Sequence, residues 1–277
     1  MPLIPAFEPA ARVPLRPEPS RATSVAVPHI MRLFLVLILS TTMLRADTLS
    51  DLKETLQRFD NSEPVSATVE FAFSDRSGDE KKPQIREGRA TARSEIGSDG
   101  LRVIWSTEQL AAAAKEAEAA SGKPETPAPT REAMSRLSAA EIQDYLSAGS
   151  GLSRRLAIAK LLGEKTESWN GQSARVLSFE LEPPLSAEDR KMIKEISGTA
   201  RVWIAADGTP LAAESALSLK GRAMLVIGFQ HSEQEKFTFA RVGNRLVVTS
   251  HHRETVDEGG GQHTQSKTDV TLRLAGS

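Results

Sequence analysis

The chain has 277 residues, enough for one large domain or two small ones with a real core. Hydrophobic residues make up 39% and charged residues 26%, which fits a globular chain and excludes a membrane bundle. Basic and acidic residues number 35 and 36, so there is no concentrated basic face of the kind nucleic acid needs. No cysteine is present, which removes disulfides, thiolate metal sites, thiol nucleophiles and cysteine-linked lipid.

Residues 1–30 hold seven of the fifteen prolines, with Arg12, Arg16 and Arg21 and no apolar periodicity. They read as a disordered leader, either upstream of a true start at Met31 or an extended basic region in front of the next segment. Residues 32–46, RLFLVLILSTTMLRA, have the form of an export signal: Arg32, an apolar run from Leu33 to Leu39, a polar step, and a small residue at Ala46. The apolar stretch 33–44 falls short of the ~20 residues that span a bilayer core. The expectation is a periplasmic or secreted protein cut near Ala46; the alternative is an inner-membrane anchor formed by 33–44.

From residue 47 onward a single domain is expected. Thr48 and Asp51 have capping-box spacing, opening a helix with Leu49, Leu52, Leu56 and Phe59 on one stripe. VSATVEFAFS then alternates, placing Ala67, Val69, Phe71 and Phe73 on one face of a half-buried strand. REGRATARSEI and LRVIWS complete a three-strand meander, with Leu101, Val103 and Trp105 sharing a face.

A helical insertion over about 107–163 follows. TEQLAAAAKEAEAA is helix-prone up to Gly122, and SGKPETPAPT is a proline-rich linker. Ser138 and Glu141 form a second capping-box pattern. Gly149 and Gly151 should break that helix before LSRRLAIAKLL resumes it to about 162, aligning Leu152, Leu156, Ala159 and Leu162.

Strands are expected from Glu164. Asn170-Gly171 between two extended runs is a strong hairpin signal. SAEDRKMIKEI reads as a short helix capped by Ser186, and TARVWIAADGTPLAAESALSL as a hairpin turning at Asp207-Gly208. RAMLVIGFQH, EKFTFARV, NRLVVTSHHRETV and KTDVTLRL continue the meander, with turns near Ser232, at Gly243-Asn244 and through 258–262. The fold class is therefore α+β: a curved antiparallel sheet of about ten strands, a half-barrel packed with a few helices and carrying a helical insertion.

The search for chemistry yields no catalytic residue, metal site or cofactor. Gly149-Ser150-Gly151 lacks the strand that precedes a nucleophile elbow. Gly259-Gly260-Gly261 has no following helix to cradle phosphate. His251 and His252 point to opposite faces of a strand, so at most one of them joins His263, which leaves zinc short of ligands. Arg154-Arg155 reads as a solvated helix face, with a lipid-headgroup contact as the alternative. The aromatics Phe71, Phe73, Trp105, Trp203 and Phe229 read as core, and they are also the candidates for lining a hydrophobic ligand cavity.

ADTLSDLKETLQRFDNSEPVSATVEFAFS, GTARVWIAADGTPLAAES and FARVGNRLVVTSHHRE resemble the opening helix and strand, the recurring strand-turn-return and the late strand pair of the lipoprotein-carrier (LolA/LolB-like, RseB sensor-domain-like) superfamily. The resemblance implies an incomplete antiparallel barrel that wraps around helices and holds acyl chains. No binding residue of that family maps individually onto this chain, and the insertion at 107–135 departs from its pattern. The implied function is a non-enzymatic, periplasmic carrier-like protein that binds a lipid or lipoprotein acyl chain. The alternative is an envelope interaction or sensor domain whose partner is another protein.

Overall fold

The computed structural model describes residues 48–275, apart from 60, 79–81, 124, 184 and 224–226. The described residues belong to the second of the chain's two units, Met43–Ser277. The leader and the export signal expected at 1–46 lie outside the described residues.

Ten strands form one antiparallel sheet: β1 (Val65–Gly78), β2 (Gln84–Gly97), β3 (Gly100–Trp105), β4 (Ala159–Trp169), β5 (Gln172–Leu181), β6 (Ile193–Ile204), β7 (Pro210–Ala223), β8 (Ile227–Val242), β9 (Arg245–Gly259) and β10 (Gln262–Leu274). Their spatial order is β3-β2-β1-β10-β9-β8-β7-β6-β5-β4. Every neighbouring pair is consecutive in sequence except β1 and β10, which join the two ends of the domain. The sheet curves without closing, because β3 and β4 remain its two edges. This is the half-barrel the alternating pattern predicts.

The chain crosses from one edge to the other through residues 106–158, which carry α2 (Thr107–Ala119), α3 (Pro129–Arg136), α4 (Ala139–Leu146) and α5 (Ala148–Ala157). A first helix, α1 (48–58), precedes β1, and a single turn, α6 (Asp189–Met192), precedes β6. Among the described residues no helix is long and apolar enough to cross a membrane.

The main core lies between the inner sheet face and these helices. Val69, Phe71, Ala92, Leu177, Val202, Leu246 and Val270 meet Leu52 and Leu56 of α1, Ile142 and Leu146 of α4, and Leu152 and Leu156 of α5. Each such side chain contributes ~1.5–3 kcal/mol of apolar burial. A second, small cluster of Ala174, Val176, Trp203 and Ala212 lies apart from the main core. Val202 belongs to the main core and Trp203 to the small cluster, because successive strand residues point to opposite faces.

Local chemistry explains the turns and caps. Asn170 and Gly171 both adopt positive φ, 48° and 81°, as a two-residue hairpin with a primed turn requires. The Ser138–Glu141 capping box forms reciprocally. Gly88 lies beneath α3, and a Cβ there would collide with the Pro129 carbonyl and the Phe73 ring. Only glycine lets the helix come so close.

Six local expectations are corrected. Thr48 is already helical rather than a cap, and its hydroxyl donates to Glu164 Oε2 at 2.7 Å. Residues 129–130, placed in a linker, open α3 instead, with Pro129 at its first turn. The break between α4 and α5 is at Ser147, so Gly149 and Gly151 sit inside α5. That helix ends at Ala157 rather than 162, because Leu161 packs on the core while Leu162 is 51% exposed, a period of two. The helix expected over 186–196 shrinks to α6, and Ile193 already pairs with Gly221 in the sheet. Finally, Ser232 lies mid-strand, paired with Ser218 on one side and Val256 on the other, so no turn falls there.

One buried cation ties these layers together. Arg245, at the start of β9, is 1% exposed. It donates to the Glu63 carbonyl at 2.9 Å, the Leu146 carbonyl at 3.1 Å, Ser147 Oγ at 2.8 Å and the Asn61 carbonyl. It thereby joins the α1–β1 connection to the α4–α5 junction. Arg245→Met should lower the unfolding free energy by about 3–5 kcal/mol in urea titrations. A loss below about 1 kcal/mol would show that those carbonyls find other partners.

Candidate functional site

The inner face of the sheet carries Phe71, Ala92 and Val270 across β1, β2 and β10 and becomes more polar across β8 and β9. The alternation of β8 puts Glu233, Glu235 and Phe237 on this face, opposite Leu217, Ser215 and Ala213 of β7. On the other side Glu235 and Phe237 oppose Arg253 and His251 of β9. A bulge between Thr238 and Phe239 restores an apolar side chain, Phe239, beside Val248.

Between this surface and helices α4 and α5 lies a half-open cavity of about 490 Å³. Its apolar wall includes Leu152, Leu156, Val202, Phe237, Phe239 and Val248. Its polar wall is a chain of contacts from helix to sheet and back. Tyr145 Oη of α4 is 3.0 Å from His251 Nδ1, and His251 Nε2 lies 3.3 Å from Glu235 Oε1. Glu235 Oε2 accepts from Arg155 of α5 at 2.5 Å and from Ser215 Oγ at 3.5 Å. The His251 ring stacks on Phe237, centroids 4.1 Å apart and 6° from parallel. Its Nε2 approaches Glu235 off the hydrogen-bond axis and has no hydrogen-bond partner among the described residues.

Glu235 and His251 are 6% and 7% exposed, so both polar groups are committed to the interior. Burial works against the Glu235 charge, but the contacts from His251 and Arg155 outweigh it and hold the carboxyl at about 2. Burial pushes the Tyr145 phenol well above its ordinary range, helped by the nearby charges of Glu141 and Glu235. Tyr145 is therefore a neutral hydrogen-bonding group rather than a nucleophile in waiting.

The five aromatics singled out from sequence lie outside this cavity's lining. Phe71 and Phe73 are 6% and 4% exposed within the main core. The Arg136 guanidinium of α3 sits 3.8 Å over the Phe73 ring, held by Asp75 and Glu132. Trp105 is half-buried against the same core. Trp203 belongs to the small second cluster, 5.2 Å from Trp169. Phe229 borders a separate open depression of about 260 Å³ near the β9–β10 turn.

Arg154 and Arg155 are indeed solvated, yet both are paired, and Arg155 reaches inward to a buried carboxylate. His252 pairs with Asp269 at 2.7 Å, and His263 lies 3.4 Å from Glu258. Among the described residues no group of three or more His, Asp or Glu side chains is placed to hold a metal ion. The residues missed were Tyr145, Glu235, Phe237 and Phe239. A signal for them existed: in EKFTFARV, Glu235 shares strand parity with Phe237, so a carboxylate falls on an apolar stripe.

Fold and cavity together define an α+β half-barrel with a ligand-sized recess between its inner face and its helical crossover. No family model matches the chain, and no curated protein matches it. Among solved structures it is similar to a DUF1329 family protein from Desulfovibrio piger, crystallised at 1.75 Å, at 12% identity. That match covers 83% of this chain and 93% of that one, with a TM-score of 0.30.

The linkage of Glu235 to stability has a definite sign. Its folded-state value, about 2, lies below the ordinary 4.5, so its stabilisation is complete above pH 4.5 and is lost as pH falls toward 2. The loss should be on the order of 3 kcal/mol. Urea midpoints across this range should fall more steeply for the wild type than for Glu235→Gln. Parallel curves would remove Glu235 as the source.

Proposed function

We propose that the protein is a non-enzymatic, carrier-like protein that takes up an acyl chain in the cavity between α4–α5 and β5–β9. The observation that supports this reading is a recess of about 490 Å³ with a mainly apolar lining. That volume is within the ~300–1,000 Å³ of ordinary small-molecule sites. An alkyl chain laid against Leu152, Leu156, Phe237 and Phe239 gains ~0.8 kcal/mol for each methylene removed from water. The polar chain from Tyr145 to Arg155 would then lie beside the ligand's polar end.

The sequence resemblance to lipoprotein carriers supports the same reading, and the export-signal pattern at 31–46 supports a periplasmic location after cleavage near Ala46. In this reading the ligand is a lipid or the acyl group of a lipoprotein, and neither a cofactor nor a nucleic acid takes part.

Native mass spectrometry of the purified protein should show an acyl-chain adduct that organic extraction releases. Ala200→Phe and Ser215→Phe, each adding bulk to the cavity lining at a half-buried position, should each reduce adduct occupancy about tenfold while leaving the thermal transition near that of the wild type. Wild-type protein that carries no adduct and takes up no added amphiphile would sink the proposal. A protein partner at the envelope would then be the better reading.

A further inference from the structure

The cavity's arginines invite the idea of an anionic ligand, but each of them already has a carboxylate partner. Arg155 holds Glu235 at 2.5 Å, Arg154 lies 3.3 Å from Asp144, Arg253 pairs with Glu233, and Arg201 reaches Glu167 at 2.5 Å. Two lining carboxylates, Glu141 and Glu182, form no ion pair with a lining guanidinium among the described residues, and the charge beside Glu182 is Lys160, outside the lining. Arg201 and Glu214 share the sheet face of Trp203 and Ala212, away from the cavity; the other lining side chains include five carboxylates and three guanidinium groups, an excess of two negative charges.

The deepest pair sharpens this asymmetry. A ligand carboxylate that drew Arg155 away would take it from Glu235, which is 6% exposed. That would leave a buried carboxylate with only His251 and Ser215 near it, a costly exchange. An uncharged or cationic end needs no such exchange and meets a negative field concentrated by low-dielectric walls.

Resting on the acyl-binding reading, we infer that this cavity selects acyl amphiphiles by head-group charge: it accepts uncharged and cationic ends and rejects carboxylates. Free fatty acids, as anions at neutral pH, are then poor ligands. Amine-terminated or esterified chains of the same length are good ones.

The test compares three amphiphiles of equal chain length, dodecylamine, monolaurin and laurate, below their micelle concentrations, by calorimetric titration into the full-length protein. At low salt, laurate should bind about tenfold more weakly than the other two. The gap should narrow at physiological salt, where the screening length is ~8 Å. The double variant Glu141→Gln, Glu182→Gln, at two exposed lining positions, should also close it. Laurate binding as tightly as monolaurin, or an unchanged ranking in the double variant, overturns the charge selection and leaves acyl binding intact. Failure of all three to bind overturns both.

Discussion

A curved sheet exposes its inner face to whatever the chain can supply, and here the supply is fixed by one connection. β3 and β4 would close the barrel if they paired. Instead residues 106–158 run between them as helices, and this crossover must fill the interior it prevents from closing. Arg245 makes the arrangement specific. A guanidinium that is 1% exposed cannot be left without acceptors, so the Leu146 carbonyl and Ser147 Oγ at the α4–α5 junction and the loop before β1 are drawn to one point. The helical insertion is thereby pinned at its kink. From that point α4 packs over β9 and reaches β2 and β3, while α5 runs over β9 toward β4.

The cavity follows from what α5 can and cannot cover. Leu152 and Leu156 pack inward, but β8 presents a carboxylate, Glu235, where the pleat calls for an apolar side chain. Filling that space with hydrocarbon would bury the charge without a partner. The molecule satisfies it instead with Arg155 from above and His251 from the side, and the ring of Phe237 supports the imidazole. The recess lies beside this buried charge and the polar partners that reach it from α5 and β9. A comparable solution is seen near the other end of the inner face. Asp75, 6% exposed, takes contacts from Arg136 at 2.5 Å and Ser266 at 2.6 Å, but there α3 seals the site over Phe73.

Much of the architecture was legible in the sequence because it rests on short-range rules. The alternation of VSATVEFAFS, the Asn170-Gly171 turn and the Ser138–Glu141 capping box each specify a local geometry that tertiary packing then uses unchanged. The misread elements are those where two periods compete. LSRRLAIAKLL satisfies a helical stripe to Leu162, but the open edge of β5 offers ladder hydrogen bonds from Ala159 onward, and the sheet wins. MIKEI is likewise taken into β6. The site was less legible for a different reason. Large aromatics mark where a core forms, and Phe71 and Phe73 do mark it, but a recess forms where packing is interrupted. Its sequence sign is a charge out of place, such as Glu235 or His251, and no strand pattern says which helix will bring the partner.

That partner is what couples fold to binding. Arg155 lies on the element that roofs the cavity, and its guanidinium is 56% exposed at one side while its ion pair is directed at a carboxylate that is almost fully buried. Such a pair is weak as a source of net stability, because desolvation offsets much of its attraction, yet breaking it is expensive. The same asymmetry that makes α5 hard to lift makes Arg155 hard to recruit. Under the proposed function a ligand enters alongside the ion pair and gains its affinity from the apolar wall. The charged groups govern what its polar end is allowed to be. In that proposal shape and hydrocarbon set how tightly a chain is held, and the carboxylates of the lining set which chains are held at all.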